Sequence, residues 1–171
     1  MSMHIAIAFT AIADTVKLQQ DFFSKVYNKK VSASHCSGQH IAKAGIALKE
    51  YQEILAMIYE SKLILKANLS EHAKQVMNQI SKTSKVFIVG KNAQEAFFAK
   101  EFLRLQGIDF YLFVVESKEF MKKYDLDVFL TDELLEGEHI FILDRPYNKN
   151  YRKLNRVASF QDFFEKIKKL N

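Results

Sequence analysis

A single cysteine, Cys36, among 171 residues excludes an internal disulfide framework and any zinc site built on cysteines. One proline and five glycines are too few turn-formers for an all-β fold, which needs many tight turns. No apolar run approaches the ~20 residues of a membrane-crossing helix. No basic-then-apolar segment opens the chain in the manner of a secretory signal. A soluble cytoplasmic protein with no membrane partner is therefore expected.

What is present suits a packed domain. Hydrophobic residues make up 49% of the chain, with 15 Phe and 7 Tyr, so a sizeable core is available and disorder is not expected. The length fits one domain, with room for a small insertion. The net charge is +5, but most lysines are interleaved with acids, as in ESKEFMKKYD. The densest basic stretches are YNKNYRKLNR and the terminal EKIKKL. A solvated face explains them; a face that contacts phosphate or nucleic acid is the sharper alternative.

The apolar rhythm predicts strands over 3–9, 85–90, 109–115, 126–132, 139–144 and 156–159. It predicts helices over 15–28, 48–65, 68–83, 92–107, 117–124 and 160–170, with Ser70 as a possible cap of the third. Residues 29–47 are small, polar and irregular, and read as a loop or short-helix insertion. Strands alternating with helices imply a largely parallel sheet covered on both faces. The expected architecture is a three-layer α/β Rossmann-like domain with a small helical cap inserted after strand one. The core takes 1–15 and 67–171; the cap and its connections take 16–66.

In such a sheet ligands bind outside the carboxyl ends of the strands. The first strand, in HIAIAFTAIADT (4–15), delivers Ala8, Phe9, Thr10 and Ala11 to that end. None of them is a strong nucleophile, a metal ligand or a general base at neutral pH.

The order of segments resembles the haloacid dehalogenase (HAD) superfamily, and within it the 5′(3′)-deoxyribonucleotidase-like branch. AFTAIADT stands where that family has Asp-x-Asp-Gly-x-x-Ala-Asp, one residue shorter than the pattern, with Ala13-Asp14 matching. The tail HIFILDRPYNKNYRKLNRVASFQDFFEKI is similar to the branch's ending, a strand running into Pro-Tyr-Asn, then Arg-Val and a closing helix. The resemblance implies that Ala8 replaces the aspartyl nucleophile and Thr10 the second Asp, the general acid/base. It places Gly90 where a phosphate-binding Thr or Ser belongs. It places Thr131 and Asp132 where two acids hold Mg²⁺, which leaves Asp132 as the metal candidate. Lys118 fits the family's phosphate-steadying lysine, with Lys122 as second choice. In such phosphatases the first Asp attacks phosphorus, the second shuttles the leaving-group proton, and Mg²⁺ neutralises charge. Ala8 cannot attack, and Thr10 cannot shuttle a proton near pH 7.

Further phosphate- or ligand-binding candidates are Lys91 and Asn92, with a helix N-terminus behind them, and Arg145, whose alternative is a turn salt bridge beside Asp144. Asp14 caps the first helix or touches a ligand. His35, Cys36 and His40 lie close in sequence but lack the further ligands of a metal site. The sequence thus implies a HAD-like scaffold whose catalytic positions have changed, acting as a binding or regulatory module for a protein partner or a phosphorylated small molecule. No cofactor is expected; Mg²⁺ enters only if phosphatase activity remains. The alternatives are an active Mg²⁺-dependent nucleotidase with a rearranged site, and a basic protein associated with nucleic acid.

Overall fold

The computed structural model describes residues 2–149 and 155–170. The basic stretch 145–156 lies partly outside them.

Among the described residues six strands form one parallel sheet. They are His4–Ala8 (β1), Lys85–Gly90 (β4), Leu112–Val115 (β5), Val128–Thr131 (β6), Ile140–Leu143 (β7) and Arg156–Val157 (β8). Two-residue strands Ala13–Asp14 (β2) and Asn68–Leu69 (β3) pair separately and antiparallel. The sheet order is β5-β4-β1-β6-β7-β8. The chain winds outward from β1 through β4 to β5, then returns to its other side for β6. The carboxyl end of β1 is therefore the point where winding reverses, the usual crevice of such sheets. Residues Ile5 to Ala8 and Val86 to Gly90 are buried throughout, as strands covered on both faces require. The α/β reading of the sequence stands.

Helix Ala93–Gln106 (α5) packs on the sheet through Ala99, Phe102 and Leu103. It starts at Asn92, whose side chain accepts the Glu95 N–H at 2.9 Å. It stops at Gly107, whose φ of 68° suits a residue without Cβ. The Phe102 ring meets Phe9 edge-on at 5.5 Å, joining α5 to the helical turn Phe9–Ile12 (α1) that follows β1 directly. Ala73–Ile80 (α4), the short Phe120–Lys123 (α6) and Phe160–Lys168 (α7) complete the layers. The last is capped by Ser159 and sets Phe163 against Phe141.

Between β2 and β3 lie helices Val16–Tyr27 (α2) and Leu48–Glu60 (α3), with short 3-10 turns at Ala33–His35, Ile41–Ala44 and Leu63–Lys66. Phe23 stacks on Tyr51 at 6.3 Å, and the Tyr51 hydroxyl donates to Gln19 Oε1 at 2.7 Å. The expected helix over 48–65 breaks where Lys62 takes a φ of 63°.

The expected helix over 68–83 is corrected. Asn68 and Leu69 pair with Asp14 and Ala13, and α4 starts only at Ala73. Ser70 does not cap that helix. Its hydroxyl donates to the Ala11 carbonyl at 2.5 Å and accepts from Arg145 Nη2 at 2.7 Å.

The core pairing of Phe102 can be tested against an exposed neighbour. Phe102→Ala, at a fully buried site, should cost about 3–5 kcal/mol by thermal or urea unfolding. Phe97→Ala on the same helix, 71% exposed, should change stability by less than about 0.5 kcal/mol.

Candidate functional site

The carboxyl ends of β1, β4 and β6 converge on the side chain of Asp132, which is only 6% exposed. Thr10, in α1, donates its hydroxyl to Asp132 Oδ1 at 2.5 Å. The Tyr147 hydroxyl, from the turn after β7, donates to Oδ2 in a very short bond. Asn148 Nδ2 donates to the Asp132 carbonyl at 2.9 Å and to the Leu143 carbonyl at 2.9 Å, fixing the turn that carries Tyr147. Burial first, then the adjacent Asp132 carboxylate, pushes the Tyr147 phenol well above its usual range, so it stays protonated and donates. Thr10 and Asp132, which the sequence assigns to different motifs, are thus brought together. Ala8 ends β1 with only a methyl group to offer. Thr131 is buried and its hydroxyl accepts the Glu133 N–H at 3.1 Å.

Gly90 ends β4 without a side chain because there is no room for one. A Cβ there would come within 2.8 Å of the Phe113 ring. The next residue, Lys91, is the lysine that reaches the site. Its ammonium pairs tightly with Glu133. Burial works against that charge, but Glu133, Asp132 and Glu95 outweigh it and raise the lysine's pKa. Lys118 stands apart on an exposed turn and, among the described residues, makes no ion pair. Lys122 is likewise exposed, in α6.

Asn92 serves as the α5 cap, and the anion site expected beside it is filled from within the chain. Glu95 is buried at the first turn of α5, where the helix dipole favours negative charge. Its Oε1 accepts the Lys91 N–H at 3.3 Å, and its Oε2 accepts the Tyr59 hydroxyl at 2.8 Å. The second bond ties α3 to the first turn of α5. Burial raises the Glu95 pKa despite Tyr59 and Lys91, which hold it down. Glu116 is raised too, by burial and then by Glu133. The strand tips therefore gather Asp132, Glu133, Glu95 and Glu116 around one lysine.

Arg145 is buried, and its two terminal nitrogens are taken by the protein, while its Nε is buried without a partner among the described residues. Its Nη2 donates to the Thr10 carbonyl at 3.2 Å, the Ala11 carbonyl at 3.1 Å and Ser70. Its Nη1 lies 3.6 Å from Asp14 Oδ2. Asp14 also accepts the N–H of Val16, the first residue of α2, at 3.1 Å. Cys36 is buried, its thiol pushed up to about 11 by burial and then by Asp14, and it donates to the Ser32 carbonyl at 3.5 Å.

The solved structures that share this architecture cover nearly the whole chain. A haloacid dehalogenase-like family hydrolase from Streptococcus pneumoniae superposes with a TM-score of 0.64 over 97% of this chain and 98% of its own, at 10% identity. A HAD-superfamily hydrolase of subfamily IA, variant 1, from Geobacter sulfurreducens gives 0.57 over 97% and 96%, at 7% identity. The fold is that of HAD hydrolases. A HAD-like hydrolase from Xanthomonas campestris gives 0.53 at 11% identity, over 99% of this chain and 96% of its own. No protein-family model and no curated protein matches the sequence. Against the Mg²⁺ that the HAD fold implies, the donor set does not fit. Ala8 and Thr10 supply no carboxylate, and both oxygens of Asp132 already accept hydroxyl donors. Among the described residues no three His, Cys, Asp or Glu side chains are grouped to hold an ion. No described helix is long and apolar enough to cross a membrane.

Two expectations follow from these contacts. Tyr147→Phe leaves one oxygen of a buried carboxylate without its donor and should cost about 1–3 kcal/mol in urea unfolding. The raised Glu95 pKa contributes stability that is fully present below the unfolded value of 4.5 and is lost as pH rises through the folded value. Glu95→Gln removes that loss. The melting temperature of the variant relative to the parent should therefore rise between pH 4.5 and 7; a constant difference would contradict the raised pKa.

Proposed function

We propose that this chain is a HAD-fold domain without phosphoryl-transfer activity, acting as a binding module. One observation carries the reading: the carboxylate at the strand tips is closed off by two hydroxyls of the same chain, Thr10 and Tyr147. A phosphatase of this type presents that carboxylate to a cation and a second carboxylate to phosphorus. Here the nucleophile position holds a methyl group. The groups that would attract phosphate are also spoken for. Lys91 is neutralised by Glu133, and Arg145 by Asp14 and three oxygen acceptors, while Glu95 fills the helix N-terminus. A phosphate dianion meets net negative charge at this end of the sheet.

One contact favours a second reading, a rearranged phosphatase in which Thr10 attacks with Asp132 as its base. Its substrates would be phosphate monoesters, nucleoside monophosphates first.

Phosphate release from nucleoside monophosphates and p-nitrophenyl phosphate separates the two. With Mg²⁺ present, release should match a blank without protein. Turnover by the parent that Thr10→Val abolishes would overturn the proposal. Millimolar Mg²⁺ should move the parent's melting temperature by less than about one degree, since stabilisation follows binding to the folded form. The double variant Ala8→Asp, Thr10→Asp crowds new carboxylates against Asp132. It should melt below the parent in metal-free buffer and recover with Mg²⁺.

A further inference from the structure

The opposite end of the sheet is built differently. At the amino ends of β1 and β4 the surface holds two depressions of about 360 and 420 Å³. They share the same dividing wall, Lys82 and Ser84 in the segment between α4 and β4. One runs toward α7 and is lined by Phe164 and Lys168. The other runs toward β5 and is lined by Lys85 and Tyr111. Side by side across that wall, the two depressions form a divided furrow at the base of the sheet. A lysine lies at each end and one in the middle. β1 separates it from the Asp132 site by five residues, about 16 Å at ~3.3 Å per residue.

The cations at both ends are held in place. Lys85 Nζ sits over the Tyr111 ring at 4.7 Å from its centroid, and Lys168 Nζ over Phe164 at 4.2 Å. A lysine pinned on a ring has less side-chain freedom left to lose when an anion binds. Among the described residues Lys82 and Lys85 are in no ion pair, whereas Lys168 also touches Glu165 at 3.1 Å. Among the described residues Asp109 is the one acid in the wall of either depression. The charge balance therefore favours an anionic occupant. Tyr111 carries Lys85 over its ring and meets Phe87 edge-on at 5.4 Å, and being 57% exposed it leaves the rest of its aromatic surface to a flat base.

We propose that this furrow binds single-stranded nucleic acid. Spaced cations follow successive phosphates, and exposed rings take unpaired bases without reading their identity. A duplex keeps its bases stacked on one another and cannot offer them to Tyr111. An acidic peptide gains the lysines but leaves the ring unused. The proposal stands apart from the loss of phosphatase activity, because no residue of the furrow touches the Asp132 site.

Fluorescence anisotropy of labelled 12-nucleotide oligo-U RNA and oligo-dT DNA tests it on the full chain. Three phosphate contacts predict a slope near −2 in log affinity against log salt, a loss of roughly 40-fold between 50 and 300 mM. The variant Lys82→Ala, Lys85→Ala, Lys168→Ala should bind at least ten-fold more weakly at 50 mM salt and lose most of that slope. All three lysines are exposed, so its melting temperature should match the parent's. A charge-matched control on the helical segment, Lys17→Ala, Lys25→Ala, Lys49→Ala, should keep the parent's affinity. Tyr111→Ala should weaken binding at least about five-fold. The proposal is overturned if neither oligonucleotide binds at 50 mM salt, or if the control loses as much as the furrow variant. It is equally overturned if a 12-base-pair duplex or a poly-glutamate peptide binds as tightly as the single strands. Phosphate release, measured on the same parent protein, reports on the strand-tip proposal alone.

Discussion

Both strands that carry the chain between the core and the helical segment are fastened by one guanidinium. Arg145 binds the carbonyls of Thr10 and Ala11 just before β2, Asp14 within it, and Ser70 just after β3. A buried guanidinium is costly unless its donors are matched, and here the partners of Nη1 and Nη2 come from two segments far apart in sequence, while Nε stays without one among the described residues. The same residues set the path of α1, and hence the direction of the Thr10 hydroxyl. The contact with Asp132 thus depends on Arg145, though Arg145 touches neither side-chain atom of that pair. This also explains why a residue that reads as an anion ligand in the sequence is unavailable as one.

Around Asp132 the chain meets an electrostatic problem by an unusual route. A carboxylate 6% exposed needs compensation, from a cation or from hydrogen-bond donors. Two hydroxyls supply it, and each stays a donor because its proton is held in the relevant pH range; for Tyr147, burial and the carboxylate itself ensure this. A second carboxylate at position 8 or 10 would have no such donors left and would repel the first. The absence of a carboxylate at Ala8 and Thr10 and the hydroxyl clasp therefore answer the same constraint. Glu95 extends the pattern: its carboxylate takes the helix N-terminus and uses Tyr59 to bind α3 down.

The sheet was legible in the sequence because buried parallel strands are uninterrupted apolar runs such as KVFIVG, bounded by helices with readable ends. Asn92 with Glu95 three residues on, and Gly107 at the far end, mark α5 by local chemistry alone. The start of α4 was not legible. NLSEHAKQ has a serine in a capping position, but Asn68 and Leu69 are claimed by a strand some 54 residues earlier and Ser70 by Arg145. Contacts so distant in sequence leave no periodicity. Asp132 and Thr10 could be singled out from their places at strand ends. Tyr147 lay in plain view within the Pro-Tyr-Asn turn, but its role required knowing how closely that turn approaches β6. Lys91 displaced Lys118 at the site for a similar reason: distance along the chain places Lys118 well, yet its turn remains in solvent.

These features divide the molecule along the strands. In α/β sheets the carboxyl ends normally hold ligands, because helix N-termini and loop residues there remain free to meet them. In this chain those groups are turned inward. One helix N-terminus is filled by Glu95, the lysine is paired and the arginine is buried. What such an end gains is rigidity, since these polar groups bond one another: Tyr59 to Glu95 holds α3 to α5, Tyr147 to Asp132 holds the turn after β7, and Lys91 pairs with Glu133. The amino ends face the opposite constraint. Helices point their C-termini that way and favour cations; of the lysines there, Lys82 and Lys85 are in no ion pair among the described residues, while Lys168 pairs with Glu165. On the proposed reading, internal pairing at the strand tips and the unpaired Lys82 and Lys85 at the strand base together place the binding surface of this HAD fold at the base of its strands rather than at their tips.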